Sequence, residues 1–147
     1  MPAKTRKPDN PPTADFDRRT LIAAARAARK QAYAPYSRYR VGAAVVTQDG
    51  TVFTGCNVEN AAYPACICAE QTATVKAVSE GQPRLRAVAI ATTNGGSPCG
   101  MCRQVLNEFG GPDLAVMLVD NRGRVRETTL RKLLPDAFGP ENLVIEE

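Results

Sequence analysis

The stretch ENAAYPACICAEQTA, residues 59–73, places two cysteines and then a glutamate where a helix is predicted to begin. Cys68 and Glu70 are separated by one residue, so they do not lie on the same face of a helix. The chain has no histidine, so any site for a soft metal must use cysteine. This stretch therefore raises the question of what a thiol and a carboxylate do together at one helix start.

A second cysteine motif, SPCGMCRQVLNEF, covers residues 97–109 and also lies at a predicted helix start. Cys99 and Cys102 are three residues apart, so both sulfurs can face one atom. The free N–H groups and the dipole at a helix start favour thiolates. Together with Cys68, this pair can hold one Zn²⁺ and leave its fourth position to water, as catalytic zinc requires. Glu70 can then lie beside that water and transfer protons.

Other interpretations of the cysteines remain open. The pair Cys99 and Cys102, taken alone, fits a redox-active dithiol or half of a structural zinc site. Adding Cys68, Glu70 and Pro98 favours catalysis, because C-x-E followed by P-C-x-x-C is the cysteine form of the pattern of zinc deaminases that act on bases. Among the remaining cysteines, Cys66 is interpreted as a free thiol and Cys56 as a core residue.

Composition indicates one globular domain with a short tail. The chain has 147 residues, of which 44% are hydrophobic and 23% are charged, as is typical of globular proteins. We expect a disordered tail over the proline-rich residues 1–15 and a single domain over residues 16–147. Part of the net charge of +4 lies in that tail, so neither a nucleic-acid surface nor polynucleotide editing is predicted. No apolar run predicts a membrane span or a signal peptide, so we expect a cytoplasmic protein.

The hydrophobic pattern predicts an α/β layered sheet with the element order α-β-β-α-β-α-β-β. Helices are predicted over residues 16–33 (ended by Pro35), 67–80, 101–109 and 129–134, with an extended C-terminal tail after the last one. Strands are predicted on both sides of the turn Gln48-Asp49-Gly50 and over residues 87–93, 114–120 and 125–129.

The chain from about residue 21 to residue 143 resembles the small, homotetrameric type of cytidine deaminase. The matching segments are PYSRYRVGAAVV (35–46), GCNVENAAYPACICAE (55–70), SPCGMCRQVLNEF (97–109) and LLPDAFGPENL (133–143). The resemblance implies an α/β fold of three layers, with a central mixed β-sheet of about five strands flanked by helices. It also implies one Zn²⁺ per subunit, bound by Cys68, Cys99 and Cys102.

The resemblance further implies an activity in pyrimidine salvage. Activated water would attack C4 of cytosine while Glu70 acts as the proton shuttle. The products would be uridine from cytidine, or 2′-deoxyuridine from 2′-deoxycytidine, with release of ammonia.

Substrate contacts are also implied by the resemblance. Asn57 and Glu59 are similar to a pair that hydrogen-bonds the ribose, although an isolated Asn-x-Glu favours a loop cap or an Asx turn over a binding role by about two to one. Tyr39 stands where the family usually has phenylalanine against the pyrimidine ring, and the N–H of Ala69 resembles the donor to the base carbonyl. Phe138 resembles an aromatic residue that reaches a neighbouring subunit's site, which implies a homotetramer with shared sites.

Two positions depart from the family pattern, and they keep other functions open. Gln71 stands where arginine commonly offsets the charge of the three thiolates; Arg103, directly after Cys102, is a candidate substitute. Cys66 replaces what is often glycine. The alternatives are a blasticidin-type or other cytosine-nucleoside aminohydrolase, and a non-catalytic structural zinc protein whose site is closed by Cys66 or Glu70.

Overall fold

A mixed β-sheet of five strands forms the middle layer of the protein. The computed structural model describes residues 16–143, so the tail expected over residues 1–15 lies outside the described residues. The strands are β1 (Gly42–Thr47), β2 (Val52–Cys56), β3 (Leu85–Ala91), β4 (Ala115–Val119) and β5 (Val125–Thr129). Their order is β2-β1-β3-β4-β5; β3 and β4 pair in parallel, and the other pairs are antiparallel.

Helices cover both faces of this sheet. They are α1 (Arg18–Arg29), α2 (Ala69–Ser79), α3 (Gly100–Gly110) and the short α4 (Leu130–Leu133). On one face, α1 packs Leu21 and Ala25 against alanines and valines of the sheet. On the other face, Ala73 of α2 and Leu106 of α3 belong to a second buried cluster. The predicted three-layer arrangement is therefore confirmed.

The first helix ends earlier than the sequence pattern predicts. The pattern continues to Tyr33 and places the end at Pro35, but α1 ends at Arg29. The reason is a pairing with a distant segment: the N–H of Tyr33 donates to the Asn57 carbonyl at 3.0 Å, and the Tyr33 carbonyl accepts from the N–H of Glu59 at 2.8 Å. These strand-like bonds take the chain out of the helix before proline could end it.

The other predicted elements are confirmed, with ends that shift by no more than two residues. Gly81, at φ +80°, follows α2 as the predicted helix terminator. The C-terminal segment includes a 3₁₀ turn at Pro140–Asn142, so it is not uniformly extended as expected. Within residues 16–143, no helix combines the length and the apolar character needed to span a membrane.

The β1–β2 hairpin seats α2 directly on the sheet. Gly50, at φ +90°, closes the predicted turn and fixes the register that pairs Gly55 with Ala43. A Cβ atom on Gly55 would lie 2.5 Å from the backbone nitrogen of Ala73 and 2.7 Å from the carbonyl oxygen of Ala69. Only glycine allows this approach, and the approach determines where the first turn of α2 lies.

Candidate active site

Three cysteine sulfurs meet at the N-terminal ends of α2 and α3. Cys68 is the N-cap of α2, Cys99 is the N-cap of α3, and Cys102 lies in the first turn of α3. The three sulfurs lie within 4.8 Å of one another, and those of Cys68 and Cys99 are 3.9 Å apart. In a tetrahedral zinc site with Zn–S bonds of about 2.3 Å, two sulfurs lie about 3.8 Å apart. The donor set and its spacing therefore fit Zn²⁺.

The three sulfurs differ in their exposure to solvent. Cys102 is buried, Cys68 is half-buried and Cys99 is exposed. Neither N-cap cysteine accepts a hydrogen bond that would cap its helix, so the N–H groups of both first turns remain available to stabilise thiolate charge. The site is therefore open to solvent at the ligand that precedes α3.

Hydrogen bonding between the thiols separates their pKa values. A hydrogen bond with Cys102 lowers the pKa of Cys68 to about 7. The pKa of Cys102 is raised, chiefly by its hydrogen bonding with Cys68 and further because the side chain is buried. Cys68 is therefore the first of this pair to ionise, and metal binding must displace the remaining thiol protons.

Glu70 occupies a buried position next to the sulfurs without belonging to their cluster. Glu70 is only 5% exposed, and the thiol of Cys102 donates to its Oε2 at 3.7 Å. Burial raises the pKa of Glu70 above its ordinary value. A carboxyl group with a raised pKa can hold a proton near neutral pH and release it, which suits general acid–base catalysis.

The remaining two cysteines lie outside the sulfur cluster. Cys66 is exposed, and its sulfur accepts from the N–H of Asn60 at 3.2 Å, so the prediction of a free thiol is confirmed. Among the described residues, it is not part of the group able to hold a metal ion. Cys56 is half-buried, so the prediction of a core residue is wrong. The reason is that Cys56 ends β2, which is an edge strand of the sheet.

Asn57 holds the loop that precedes β1. Its Oδ1 accepts from the N–H of Val41 at 2.9 Å, and its Nδ2 donates to the carbonyl of Tyr39 at 2.8 Å. This is the loop-capping arrangement that the sequence left open as one of two interpretations. It fixes the backbone on either side of Arg40, and with it the position of the Tyr39 ring.

Glu59 holds the same loop at an earlier point. Its carboxylate accepts from the N–H groups of Tyr36 at 2.9 Å and Ser37 at 3.1 Å, and from the Ser37 hydroxyl. The Ser37 hydroxyl, followed by these backbone donors, lowers the pKa of Glu59. A carboxylate has about four acceptor positions, so these contacts leave capacity for a further hydroxyl donor.

Tyr39 has a partner that the sequence did not reveal. Tyr39 is 38% exposed, and its hydroxyl donates to Oδ1 of Asn94 at 2.8 Å. A Cβ atom on Gly96 would lie 2.6 Å from this hydroxyl, so the glycine leaves room for it. The TTNGG turn at residues 92–96 was the available signal, but Asn94 and Tyr39 are 55 residues apart along the chain.

The other two predicted substrate contacts are Ala69, which directly follows Cys68, and Phe138, which lies in the C-terminal segment. Ala69 is fully buried and is the first residue of α2, where backbone N–H groups lack intrahelical acceptors. Phe138 lies in the segment after α4 and is 58% exposed. Its backbone carbonyl accepts from Nε2 of Gln104 at 2.9 Å, which ties this segment to α3.

The family model described as "Cytidine and deoxycytidylate deaminase zinc-binding region" matches residues 16–118. The chain belongs to this family of deaminases. It is 49% identical over 130 residues to the cytidine deaminase of Sporosarcina psychrophila, which covers 87% of this chain and 96% of that protein. It is 47% identical over 131 residues to the cytidine deaminase of Mycobacterium tuberculosis H37Rv, covering 88% of this chain and 95% of that protein.

Solved structures of such deaminases have the same fold. The crystal structure of cytidine deaminase from Burkholderia pseudomallei matches with a TM-score of 0.80 at 50% identity, over 84% of this chain and 100% of that chain. The match to a zinc-binding family and the cluster of three sulfurs point to the same metal. Zn²⁺ is therefore the cofactor of this deaminase, as the sequence predicted.

Proposed function

We propose that this deaminase converts cytidine and water to uridine and ammonia, and that it accepts 2′-deoxycytidine as a second substrate. The observation that carries the proposal is the buried Glu70 carboxyl group 3.7 Å from a sulfur of the zinc-binding cluster. The cytidine deaminases of similar sequence support the same reaction. A structural zinc protein closed by Cys66 is less well supported, because Cys66 lies outside the cluster in the described residues.

The residues of the site can divide the chemistry between them. Cys68, Cys99 and Cys102 would hold the zinc ion, which would supply Lewis-acid activation of water for addition to C4. Glu70 accepts the proton that water loses and delivers it to N3 of the base. It then transfers the second proton of the water molecule to the departing amino group, so that ammonia leaves and the carbonyl of uridine forms. The raised pKa of Glu70 suits both transfers.

Four residues are proposed to bind the nucleoside. Tyr39 packs its ring against the pyrimidine, and the N–H of Ala69 donates to the base carbonyl. Asn57 and Glu59 bind the ribose, with Glu59 accepting from a sugar hydroxyl. The ionised state of Glu59 supports this role, because hydrogen bonds from Ser37 lower its pKa and keep the carboxylate charged at neutral pH.

We also propose that the protein is a cytoplasmic homotetramer in which residues 16–147 form one catalytic domain. Phe138 is 58% exposed, and exposed aromatic residues support a contact with another subunit. In this arrangement Phe138 reaches the site of a neighbouring copy. Light scattering of the purified chain would measure the number of subunits directly.

A spectrophotometric assay tests the proposed reaction. Purified protein is incubated with cytidine, 2′-deoxycytidine, blasticidin S or cytidine monophosphate, and the change in ultraviolet absorbance is followed with and without a zinc chelator. We expect turnover of both nucleosides, its loss after chelation and its return with added zinc. Turnover of blasticidin S alone would instead support the other aminohydrolase, and no turnover of any substrate would support a structural zinc protein.

A further inference from the structure

We propose that Arg103 is a positioning residue, which fixes the loop at residues 97–99 and so sets the place of the Cys99 ligand relative to Cys102. The inference deepens the proposed function, and it rests on that function only in taking the three sulfurs as the zinc site. Arg103 itself makes no hydrogen bond to a cysteine sulfur among the contacts of residues 16–143. Its effect on the metal is therefore exerted through the loop.

The guanidinium group of Arg103 is engaged at three points. Its Nε donates to the carbonyl of Pro98 at 2.8 Å, and its Nη2 donates to Oγ of Ser97 at 3.0 Å. Its Nη1 donates to the carbonyl of Leu133. Arginine can bind several acceptors at once because its donors form a rigid planar fork, whereas lysine carries a single compact ammonium group.

These contacts act on the part of the loop that has few restraints of its own. At the start of the loop, the N–H of Gly96 donates to the Thr92 hydroxyl at 2.9 Å. Pro98 has no backbone N–H, so the carbonyl is the only backbone group through which the residue directly before the ligand can form a hydrogen bond. Arg103 binds that carbonyl, and its own backbone N–H donates to the carbonyl of Cys99 at 3.0 Å. The residue thus holds the peptide groups on both sides of the Cys99 Cα atom, the first through its guanidinium group and the second through a backbone bond of α3.

The exposure of the ligands shows why Cys99 depends on such support. Cys102 is buried in α3 and Cys68 is half-buried, but Cys99 is exposed, with little packing around its side chain. Arg103 follows Cys102 directly on α3, so it connects the exposed ligand to the helix that carries the buried one. Its bond to Leu133 anchors the other side of the fork at the C-terminal end of α4.

The same contacts decide between two roles that Arg103 could have in a chain with Gln71 in place of arginine. Gln71 carries no charge, and the hypothesis drawn from the sequence was that Arg103 replaces the missing positive charge. The structure shows instead that the donors of Arg103 are committed to two backbone carbonyls and a hydroxyl. A positioning role and a charge-compensating role predict different results for Arg103→Lys, because this variant keeps the positive charge but loses the planar fork of donors.

The test compares Arg103→Lys and Arg103→Gln with the wild type in the full-length protein. The control is Arg131→Gln, which removes a surface arginine that pairs with Asp113 at 3.0 Å. The zinc dissociation constant is measured by competition with a chromogenic chelator. We expect both variants at residue 103 to bind zinc about 10-fold more weakly or worse, as found for residues that orient metal ligands. The control should stay within about twofold of wild type.

A second measurement reports the geometry of the site. Cobalt-substituted protein has visible absorption bands that depend on the arrangement of its ligands. We expect these bands to shift or weaken in both Arg103 variants and to remain unchanged in Arg131→Gln. A milder variant, Ser97→Ala, removes one acceptor only and should weaken zinc binding by about threefold. This variant keeps the test valid if a change at residue 103 prevents folding.

The outcomes distinguish positioning from its alternatives. Wild-type affinity and spectrum in Arg103→Lys would show that charge alone matters and would overturn the proposal. Wild-type behaviour of both Arg103 variants, or an equal loss in Arg131→Gln, would also overturn it. None of these measurements uses a nucleoside, so a protein that binds zinc but fails to deaminate cytidine would refute the proposed function and leave this inference standing.

Discussion

The thiol of Cys102 donates to Oε2 of Glu70 at 3.7 Å, and the contact joins α3 to α2 at the centre of the site. Both residues are buried. The acid is therefore held beside the cluster by the packing of two helices on one face of the sheet. Burial in this position raises the pKa of Glu70, which suits the proton transfers proposed for it.

Replacement of Glu70 by glutamine should separate catalysis from metal binding. The amide keeps the shape of the side chain but cannot accept and return a proton. We expect kcat for cytidine to fall by at least about 10²–10⁴-fold, with an unchanged zinc content measured by atomic absorption. Glu80→Gln, at the exposed C-cap of the same helix, is the control and should retain activity. Near-normal turnover of Glu70→Gln would refute the proton-shuttle role.

Removal of zinc should lower the stability of the protein as well as its activity. A ligand present at about 1,000 times its dissociation constant stabilises the folded state by about 4 kcal/mol. We therefore expect chelation to lower the melting temperature and added zinc to restore it. Cys99→Ser should abolish this zinc dependence, while Cys66→Ser, another exposed cysteine, should preserve it. An equal effect of the two serine variants would contradict the assignment of the ligands.

Gly55→Ala should destabilise the protein through the contact between β2 and α2. The added Cβ would lie 2.5 Å from the nitrogen of Ala73, so the helix must move. We expect the free energy of unfolding of the metal-free protein to fall by about 1–3 kcal/mol. Gly100→Ala adds the same methyl group where nothing lies within 4 Å. It should change the free energy by less than about 1 kcal/mol, and similar losses for both would argue against the close approach.

Two substitutions of Tyr39 should distinguish its ring from its hydroxyl. Tyr39→Phe removes the hydrogen bond to Asn94, which should cost about 0.5–1.5 kcal/mol of stability and leave KM for cytidine within about twofold. Tyr39→Ala removes the stacking surface, which is worth about 1–3 kcal/mol, so KM should rise about 10-fold or more. If the alanine variant kept a normal KM, the ring could not be a contact for the base.

The stability of the turn between β4 and β5 should depend on pH through Asp120. A hydrogen bond from the Arg124 guanidinium, together with backbone N–H donors, lowers the pKa of Asp120 from its ordinary value. The carboxylate therefore contributes stability that is complete above the unfolded-state pKa and is lost as the pH falls through the folded-state pKa. Asp120→Asn should thus be clearly destabilising at pH 7, and the difference from wild type should narrow below about pH 4.

Denaturant unfolding at pH 7 and pH 3 would measure this effect. Asn121→Ala is a suitable control, because it removes a hydrogen bond to Arg29 that involves no carboxylate. The cost of that change should be similar at both pH values. A constant difference between wild type and Asp120→Asn across the range would contradict the proposed role of Asp120.

Local patterns in the sequence were sufficient for most of the fold. The strand at residues 125–129 has the predicted ends, and the Asp49-Gly50 turn joins the two strands on either side of it. The cysteine spacing was equally informative, because residues three apart at a helix start share a face. These features depend on neighbours within a few positions, which is the range over which a sequence pattern can be interpreted.

The features that could not be predicted depend on contacts between distant residues. The end of α1 is set by the pairing of Tyr33 with Asn57 and Glu59, and the incomplete burial of Cys56 by the edge position of β2. The acceptors of Arg103 likewise lie as far away as Leu133. No periodicity or motif in the sequence encodes these partners, so the positions of the loops around the site had to come from the structure.

The unequal exposure of the three cysteines has a consequence for how the enzyme loses activity in solution. An oxidant or a competing chelator in solution encounters the sulfur of Cys99 before those of Cys68 and Cys102. Inactivation during storage should therefore begin with modification at that one atom, while the interior thiol stays intact. Reductant added early would then recover the activity, since Cys102, which is buried within α3, would not yet have been oxidised.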